Sequence, residues 1–244
     1  MQTSLPKAPT FVRAQDLTIE YPIRRASVRT PGSSHCFAAL NSISFELSAG
    51  DRLGLLGRNG SGKSTLLKTL AGVYPPVSGR LEIEGSIAAI FNAQLGFQKD
   101  ATGLENIFLR GAMLGISFSE IDKVVPEILE FSELGDWIHQ PIELYSSGMA
   151  LRLAFAITTT IRSDILLLDE WLGAGDSAFL AKARTRLEEM IEHASIIVLA
   201  THNLSLMRSQ CKRALVLDDG HIIFLGDIET AIDHYHDLRK LQQT

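Results

Sequence analysis

The sequence predicts an α/β protein with a mixed sheet, interrupted by an inserted helical subdomain. Three observations predict it. Short continuous apolar runs, "RLGLLG", "DILLLDE" and "SIIVLAT", have the composition of strands covered on both faces. Two other segments, "FVRAQDLTIEY" and "NSISFEL", alternate as half-buried strands do. Helical patterns fall between these strands, as in α/β proteins, so the core sheet should be mixed with parallel strands inside.

The elements follow in order. "PIRRASVRTPGSSHC", at 22 to 36, is rich in Pro, Ser and Arg without periodicity, which makes it a long loop or an extended hairpin tip. Strand material around "GSIAAIF" ends near Phe91, and the next strand starts at Ile165. The helical insertion between them covers about 95–160. Within it, Ser117 to Glu120 has a capping-box pattern, and Ile121, Val124, Val125, Ile128 and Leu129 then share one helical face. Pro126 is expected to interrupt that helix. The tail "DIETAIDHYHDLRKLQQT" predicts a C-terminal helix over about 227–244, and there is no internal repeat. One nucleotide-binding domain over 1–244, without a carbohydrate-binding domain, is the expected organisation.

Composition narrows the function. With 244 residues, 45% of them hydrophobic, the chain can bury a substantial core. A formal charge of −5 gives no broad basic surface, so nucleic acid is not an expected partner. Cys36 and Cys211 lie far apart without metal-site spacing, the usage of a reduced cytosolic chain. No run approaches the roughly 18 apolar residues that span a bilayer, and "MQTSLPKAPTFVRAQ" lacks a signal-peptide apolar region. Any membrane role would need a partner.

The chemistry is concentrated in a few loops. "GRNGSGKST" matches G-x-x-x-x-G-K-[ST] between an apolar strand and the helix "STLLKTLAG". Its residues Gly57, Arg58, Asn59, Gly60, Ser61, Gly62, Lys63, Ser64 and Thr65 can wrap backbone N–H groups around phosphates. Lys63 reaches the β- and γ-phosphates of a nucleotide, and the Ser64 hydroxyl can ligate Mg2+, so the α/β core reads as a phosphate-loop nucleotide-binding core. "ILLLDE" ends a buried strand in Asp169 and Glu170, where open α/β sheets place ligand groups. Asp169 would hold magnesium and Glu170 would polarise the attacking water. The strand "SIIVLATH" ends in His202, placed to sense the γ-phosphate; a structural histidine is the alternative. "LYSSGMALRLAFA" runs a Ser-Ser-Gly turn into an amphipathic helix, whose free N–H groups and dipole make either a second anion site or an ordinary cap.

The phosphate loop, "YSSGM", "ILLLDE", "GAGD" and "ATH", in this order and spacing, resemble the ATP-binding subunits of ABC transporters over nearly the whole chain. The resemblance implies that Ser146, Ser147, Gly148 and Met149 form the signature loop and that Asp176 lies in the turn communicating between active sites. It makes Glu170 the catalytic carboxylate and His202 the switch histidine. Two chains would pack head to tail, each phosphate loop facing the other's signature loop with ATP between them. The family's glutamine contact to metal and water aligns with Asn92 in "AAIFNAQLGF", with Gln94 as the competing position. Tyr21 sits where relatives stack an aromatic ring on adenine, or is a strand residue facing the core.

Within the family, "YSSGM", "GFQKDATGLENIFLRGAMLG", "FSELGDWIHQPIELYSSGM" and "DEWLGAGD" look like exporters of bacterial cell-surface polysaccharide: lipopolysaccharide O-antigen, capsule or teichoic acid, with O-antigen fitting best. That implies a polytopic membrane permease as partner and a place on the cytoplasmic face of the bacterial inner membrane. Two other classes remain in view. A non-transport relative would carry a long coiled coil or tandem nucleotide domains, and a small-molecule kinase would have no use for "YSSGM". In the tail, Tyr235 with His234 and His236 has spacings that suit an amphipathic helix docked on the core, against the alternative of a sugar platform.

Overall fold

A computed structural model describes residues 9–22, 36–90, 97–113, 115–160, 163–169 and 177–240. The expected loop at 22–36, apart from its two end residues, and Asn92, Gln94, Glu170 and Asp176 lie outside them. Strands β1 (Phe11–Pro22), β2 (Cys36–Ser48) and β3 (Arg52–Gly57) precede helix α1 (Lys63–Leu70), β4 (Ser78–Glu84) and β5 (Ile87–Ile90). Helices α2 (Gly103–Met113), α3 (Phe118–Ser132) and α4 (Ser147–Thr160) follow. Then come β6 (Ile165–Asp169), α5 (Ser177–His193), β7 (Ile196–Ala200), α6 (Leu204–Gln210), β8 (Arg213–Asp218), β9 (His221–Asp227) and α7 (Ile228–Lys240).

Contacts divide the chain into two compact units. The first comprises Met1–Ile87, Asp164–Asp169 and Ser195–Thr244. In it, β1 pairs antiparallel with β2 and β4, and the alternation read from the sequence buries Val12, Ala14, Leu17 and Ile19. The phase changes at Asp16, a non-glycine residue at φ 48°, where the register shifts between Ala14 and Leu17. The other strands run in the order β6-β7-β3-β8-β9, parallel except for β8 with β9. The apolar runs of β3, β6, β7 and β8 are buried, as β7 shows from Ile196 to Ala200, whereas β9 at the edge is partly exposed. Helix α1 packs on β3, β6 and β7, and α7 on β3, β8 and β9. Gly54 of β3 lies under Met207 of α6, and a Cβ there would come within 2.8 Å of its sulfur.

The second unit comprises Ala88–Ser163 and Glu170–Ala194. It is wider than the segment 95–160 because α5 groups with α3 and α4. Its core gathers Ile107, Ile121, Ile128, Phe131, Leu153, Phe155 and Phe179, with Val124, Val125 and Leu129 partly buried against it. Phe155 is 2% exposed, and truncating such a side chain to alanine costs about 3–5 kcal/mol. Helix α3 begins with the expected capping box: the Glu120 carboxylate accepts the Ser117 backbone N–H at 3.1 Å and the Ser117 hydroxyl. The expected interruption at Pro126 does not occur, since α3 runs through it to Ser132. Pro126 and Asp122 are both exposed, so the carbonyl that loses its N–H partner four residues earlier can turn to water.

Candidate nucleotide site

Parallel strands deliver the core residues to one end of the sheet. Leu55 of β3 and Asp169 of β6 both lie opposite Ala200 of β7, on its two sides. Gly57, two residues beyond Leu55, and His202, two beyond Ala200, therefore leave the sheet at the same end as Asp169.

Backbone geometry makes the phosphate loop. Gly57, Gly60 and Gly62 have φ of 151°, 84° and 106°, a region that side chains other than glycine rarely adopt. At Gly57 a Cβ would strike Ser61 Oγ and the Leu217 carbonyl, and at Gly62 it would come within 2.7 Å of the Ala39 carbonyl. Gly60 has nothing within 4 Å among the described residues, so the loop's tip is open. Helix α1 starts at Lys63 without a side-chain cap, which leaves first-turn N–H groups for an anion. The Lys63 ammonium folds back over the loop and donates to the carbonyls of Gly57 at 2.6 Å and Arg58 at 2.8 Å. Its charge is thereby held across the loop.

Two side-chain oxygens at this end of the sheet are candidates for a metal. Ser64 is exposed on the first turn of α1, and Asp169 is half-exposed at the end of β6. Hard oxygen ligands of this kind suit magnesium, which takes one or two protein ligands and completes its shell with phosphates and water. His202 is exposed on a turn braced from both sides: Thr201 Oγ1 accepts the Asn203 N–H at 3.1 Å, and Asn203 Oδ1 caps α6 through the Leu206 N–H at 3.0 Å. Tyr21, at the end of β1, donates its hydroxyl to Thr65 Oγ1 at 3.2 Å and meets Tyr74 edge-to-face at 5.2 Å between centroids. Burial pushes the Tyr21 hydroxyl pKa up.

The Ser-Ser-Gly turn belongs to the second unit. Ser146 Oγ accepts the Met149 N–H at 3.2 Å and the Ser146 carbonyl accepts from Ala150, so Ser146 caps α4. Ser146 and Ser147 are exposed. Gly148 has an ordinary φ, and among the described residues a Cβ would meet only Ser146 Oγ at 3.8 Å. Nothing there requires a glycine. Tyr145 anchors the turn by donating to the Trp137 carbonyl at 2.7 Å, across Gly103 of α2.

Two residues were missed by sequence reasoning. Asn106 is fully buried; its amide donates to the carbonyls of Gln98, Ala101 and Thr102, and its oxygen accepts the Gln98 N–H at 2.8 Å. Arg110 lies over the Phe97 ring at 5.0 Å and reaches Thr158 of α4 at 3.4 Å, with burial lowering its pKa to about 10. "GLENIFLRG" reads as plain amphipathic helix, and a polar residue on its inner face was the available signal.

The fold and loop together define a phosphate-loop nucleotide-binding protein. A family model described as ABC transporter matches residues 40–173, more than half the chain, and the chain belongs to that family. Among curated relatives it is 47% identical to the O-antigen export system ATP-binding protein RfbE of Yersinia enterocolitica, over 75% of this chain and 77% of that one. It is 43% identical to the teichoic acids export ATP-binding protein TagH of Bacillus anthracis, over 83% of this chain and 37% of that one. With the O-antigen export protein RfbB of Myxococcus xanthus it shares 40% over 84% of this chain and 47% of that one. The matched region thus spans less than half of these last two relatives. Of solved structures, an ATP-binding subunit of an ABC transporter superposes with a TM-score of 0.69 at 20% identity, covering 93% of each chain. A dimeric ATP-binding cassette in a post-hydrolysis state with ADP and phosphate gives 0.68 at 22% identity, covering 89% of this chain and 98% of that one. These two likenesses establish the fold.

Proposed function

We propose that the chain is the ATP-hydrolysing motor subunit of an exporter of lipid-linked cell-surface polysaccharide, with lipopolysaccharide O-antigen as cargo and a polytopic membrane subunit as partner. Teichoic acid is the second reading, supported by the 43% identity to TagH. The observation that carries the motor role is the signature turn. Gly148 opens α4 with exposed donors and no need, within the described residues, to be glycine. A requirement for close approach then comes from outside, as when a second copy brings its nucleotide.

In this reading Gly57 to Thr65 bind the phosphates of ATP, and Lys63 neutralises their charge. Ser64 and Asp169, with Asn92 or Gln94, would hold magnesium, which would supply positive charge to neutralise the phosphates. Tyr21 meets the adenine. Glu170 orients water and His202 contacts the γ-phosphate, while Ser146 to Met149 and Asp176 of a second copy close the site. Catalysis is then positioning and charge stabilisation by residues of two chains.

No helix among the described residues is long and apolar enough to cross a membrane. The helical unit does expose apolar side chains on α2 and α3: Leu109, Met113 and Phe118, the last stacked on Phe108 at 6.0 Å. Asp100 and Glu105 border the same hollow. That chemistry suits a basic amphipathic segment of the membrane subunit.

Deleting the gene should abolish surface polysaccharide, and wild-type protein should restore it where Lys63→Ala and Glu170→Gln do not. Purified Glu170→Gln should dimerise with ATP, and adding Gly148→Asp should abolish that dimer while monomeric ATP binding survives. Normal polysaccharide in the deletion strain would refute the export role.

A further inference from the structure

Three helices of the second unit meet at one carboxylate. Glu133 follows the last residue of α3 in the left-handed conformation, at φ 55°. It accepts from Lys182 of α5 at 2.8 Å and from Arg152 of α4 at 3.4 Å. Rings fix both cations a second time. Arg152 lies 5.2 Å from the centroid of Phe179 on α5, and Lys182 lies 4.7 Å from that of Phe131 on α3. Underneath, Phe131, Phe155 and Phe179, one from each helix, pack with centroids 5.7–6.0 Å apart.

These layers do different things. Ring packing supplies adhesion in tilted and edge-to-face geometries that tolerate small rotations of one helix on another. A carboxylate gripping a cation from each neighbour fixes that rotation. Glu133 is more than half exposed, so these ion pairs add little to folding stability, and their effect on helix orientation is separable from it.

One of the two gripped helices matters for function because of how it begins. Helix α4 opens with the signature turn at Ser146 to Met149. Although α5 follows β6 of the first unit in sequence, it groups with α3 and α4. We propose that Glu133 is a positioning residue for ATP-dependent dimerisation: by holding Arg152 of α4 to Lys182 of α5, it fixes the orientation in which α4 presents its signature turn to the second copy. The inference rests on the two-copy reading above.

The test uses full-length protein carrying Glu170→Gln, whose ATP-driven dimer is followed by light scattering. Adding Glu133→Gln should weaken dimerisation about fivefold, the upper end for an exposed ion pair. Monomer affinity for a fluorescent ATP analogue and the melting temperature should stay at parent values. Glu133→Lys should weaken the dimer further, and Glu133→Lys with Lys182→Glu should dimerise better than Glu133→Lys alone. Parent-like dimerisation of Glu133→Gln would overturn the proposal, and so would a loss that tracks a falling melting temperature or a charge exchange that brings no recovery. If the Glu170→Gln parent itself stays monomeric with ATP, the two-copy reading falls and takes this one with it.

Discussion

The Tyr21 hydroxyl donates to Thr65 Oγ1 at 3.2 Å, joining the end of β1 to the first turn of the phosphate-loop helix. The same ring is held edge-to-face on Tyr74. Tyr21 is therefore tied to the phosphate end of the site whether or not its ring meets adenine. Tyr21→Phe keeps the ring but removes the hydroxyl and its bond to Thr65, and should weaken ATP binding about two- to fivefold, within the net value of one hydrogen bond. Tyr21→Ala also removes the ring and should weaken it at least tenfold further, if the ring stacks on the base. Titration with a fluorescent ATP analogue measures both. Equal losses in the two variants would leave the hydroxyl as the whole contribution and exclude stacking.

Asn106 is a sharper stability test than any residue of the phosphate loop. Its amide satisfies three carbonyls and one N–H of the turn at Gln98 to Thr102, with no exposure of its own. Asn106→Ala strands those groups in a buried setting and should cost about 2–4 kcal/mol. In a chain of this size that lowers the melting temperature by roughly 4–16 °C. Scanning calorimetry reads it directly, and a change under 2 °C would mean that water replaces the amide at little cost.

What was legible in the sequence follows the range of the forces involved. The strand runs, the capping box at Ser117 and Glu120 and the phosphate-loop glycines are set by neighbours a few residues away, and they appear where local pattern places them. Pro126 was misread because local chemistry alone disfavours it, while the exposed face of α3 tolerates the lost hydrogen bond. Arg110 and Glu133 went unread for a different reason. Their partners lie on other turns or helices, Thr158 for Arg110 and Lys182 for Glu133, and no spacing rule announces a contact fixed by tertiary packing.

Two helix starts in the second unit carry a pH dependence of known sign. Backbone and hydroxyl donors of Thr102 hold the Glu105 carboxyl below its ordinary value of 4.5, and the Ser117 hydroxyl and N–H do the same for Glu120. A lowered folded pKa contributes stability that is complete above the ordinary value and lost as pH falls through the lowered one. The stability gap between wild type and Glu105→Gln or Glu120→Gln should therefore be constant from pH 7 to about 5 and close on further acidification. Urea titrations across this range measure it, and a gap that persists unchanged at pH 3 would show that the ionised carboxylates are not its source.

Helix α7 offers a sugar no open aromatic platform. A carbohydrate platform needs an accessible aromatic face, and the candidates in the tail are Tyr235 with His234 and His236. Tyr235 is only 6% exposed, buried with Ile228, Ala231 and Ile232 on the inner face of α7 against the β8 and β9 side of the core. His234 is stacked on Phe224 of β9 at 4.5 Å, which occupies a face of its ring. His236 remains exposed but is a single small ring among Asp233, Asp237, Arg239 and Lys240. Helix α7 thus spends its aromatic surface on docking. Tyr235→Ala should destabilise the protein by about 3–5 kcal/mol, the cost of emptying a large buried site. His236→Ala should leave both stability and ATPase unchanged. Calorimetric titration of the purified chain with the host's own polysaccharide should show no saturable heat. Sugar-specific binding that survives Lys63→Ala and is lost in His236→Ala would place glycan selection on this helix and overturn the prediction.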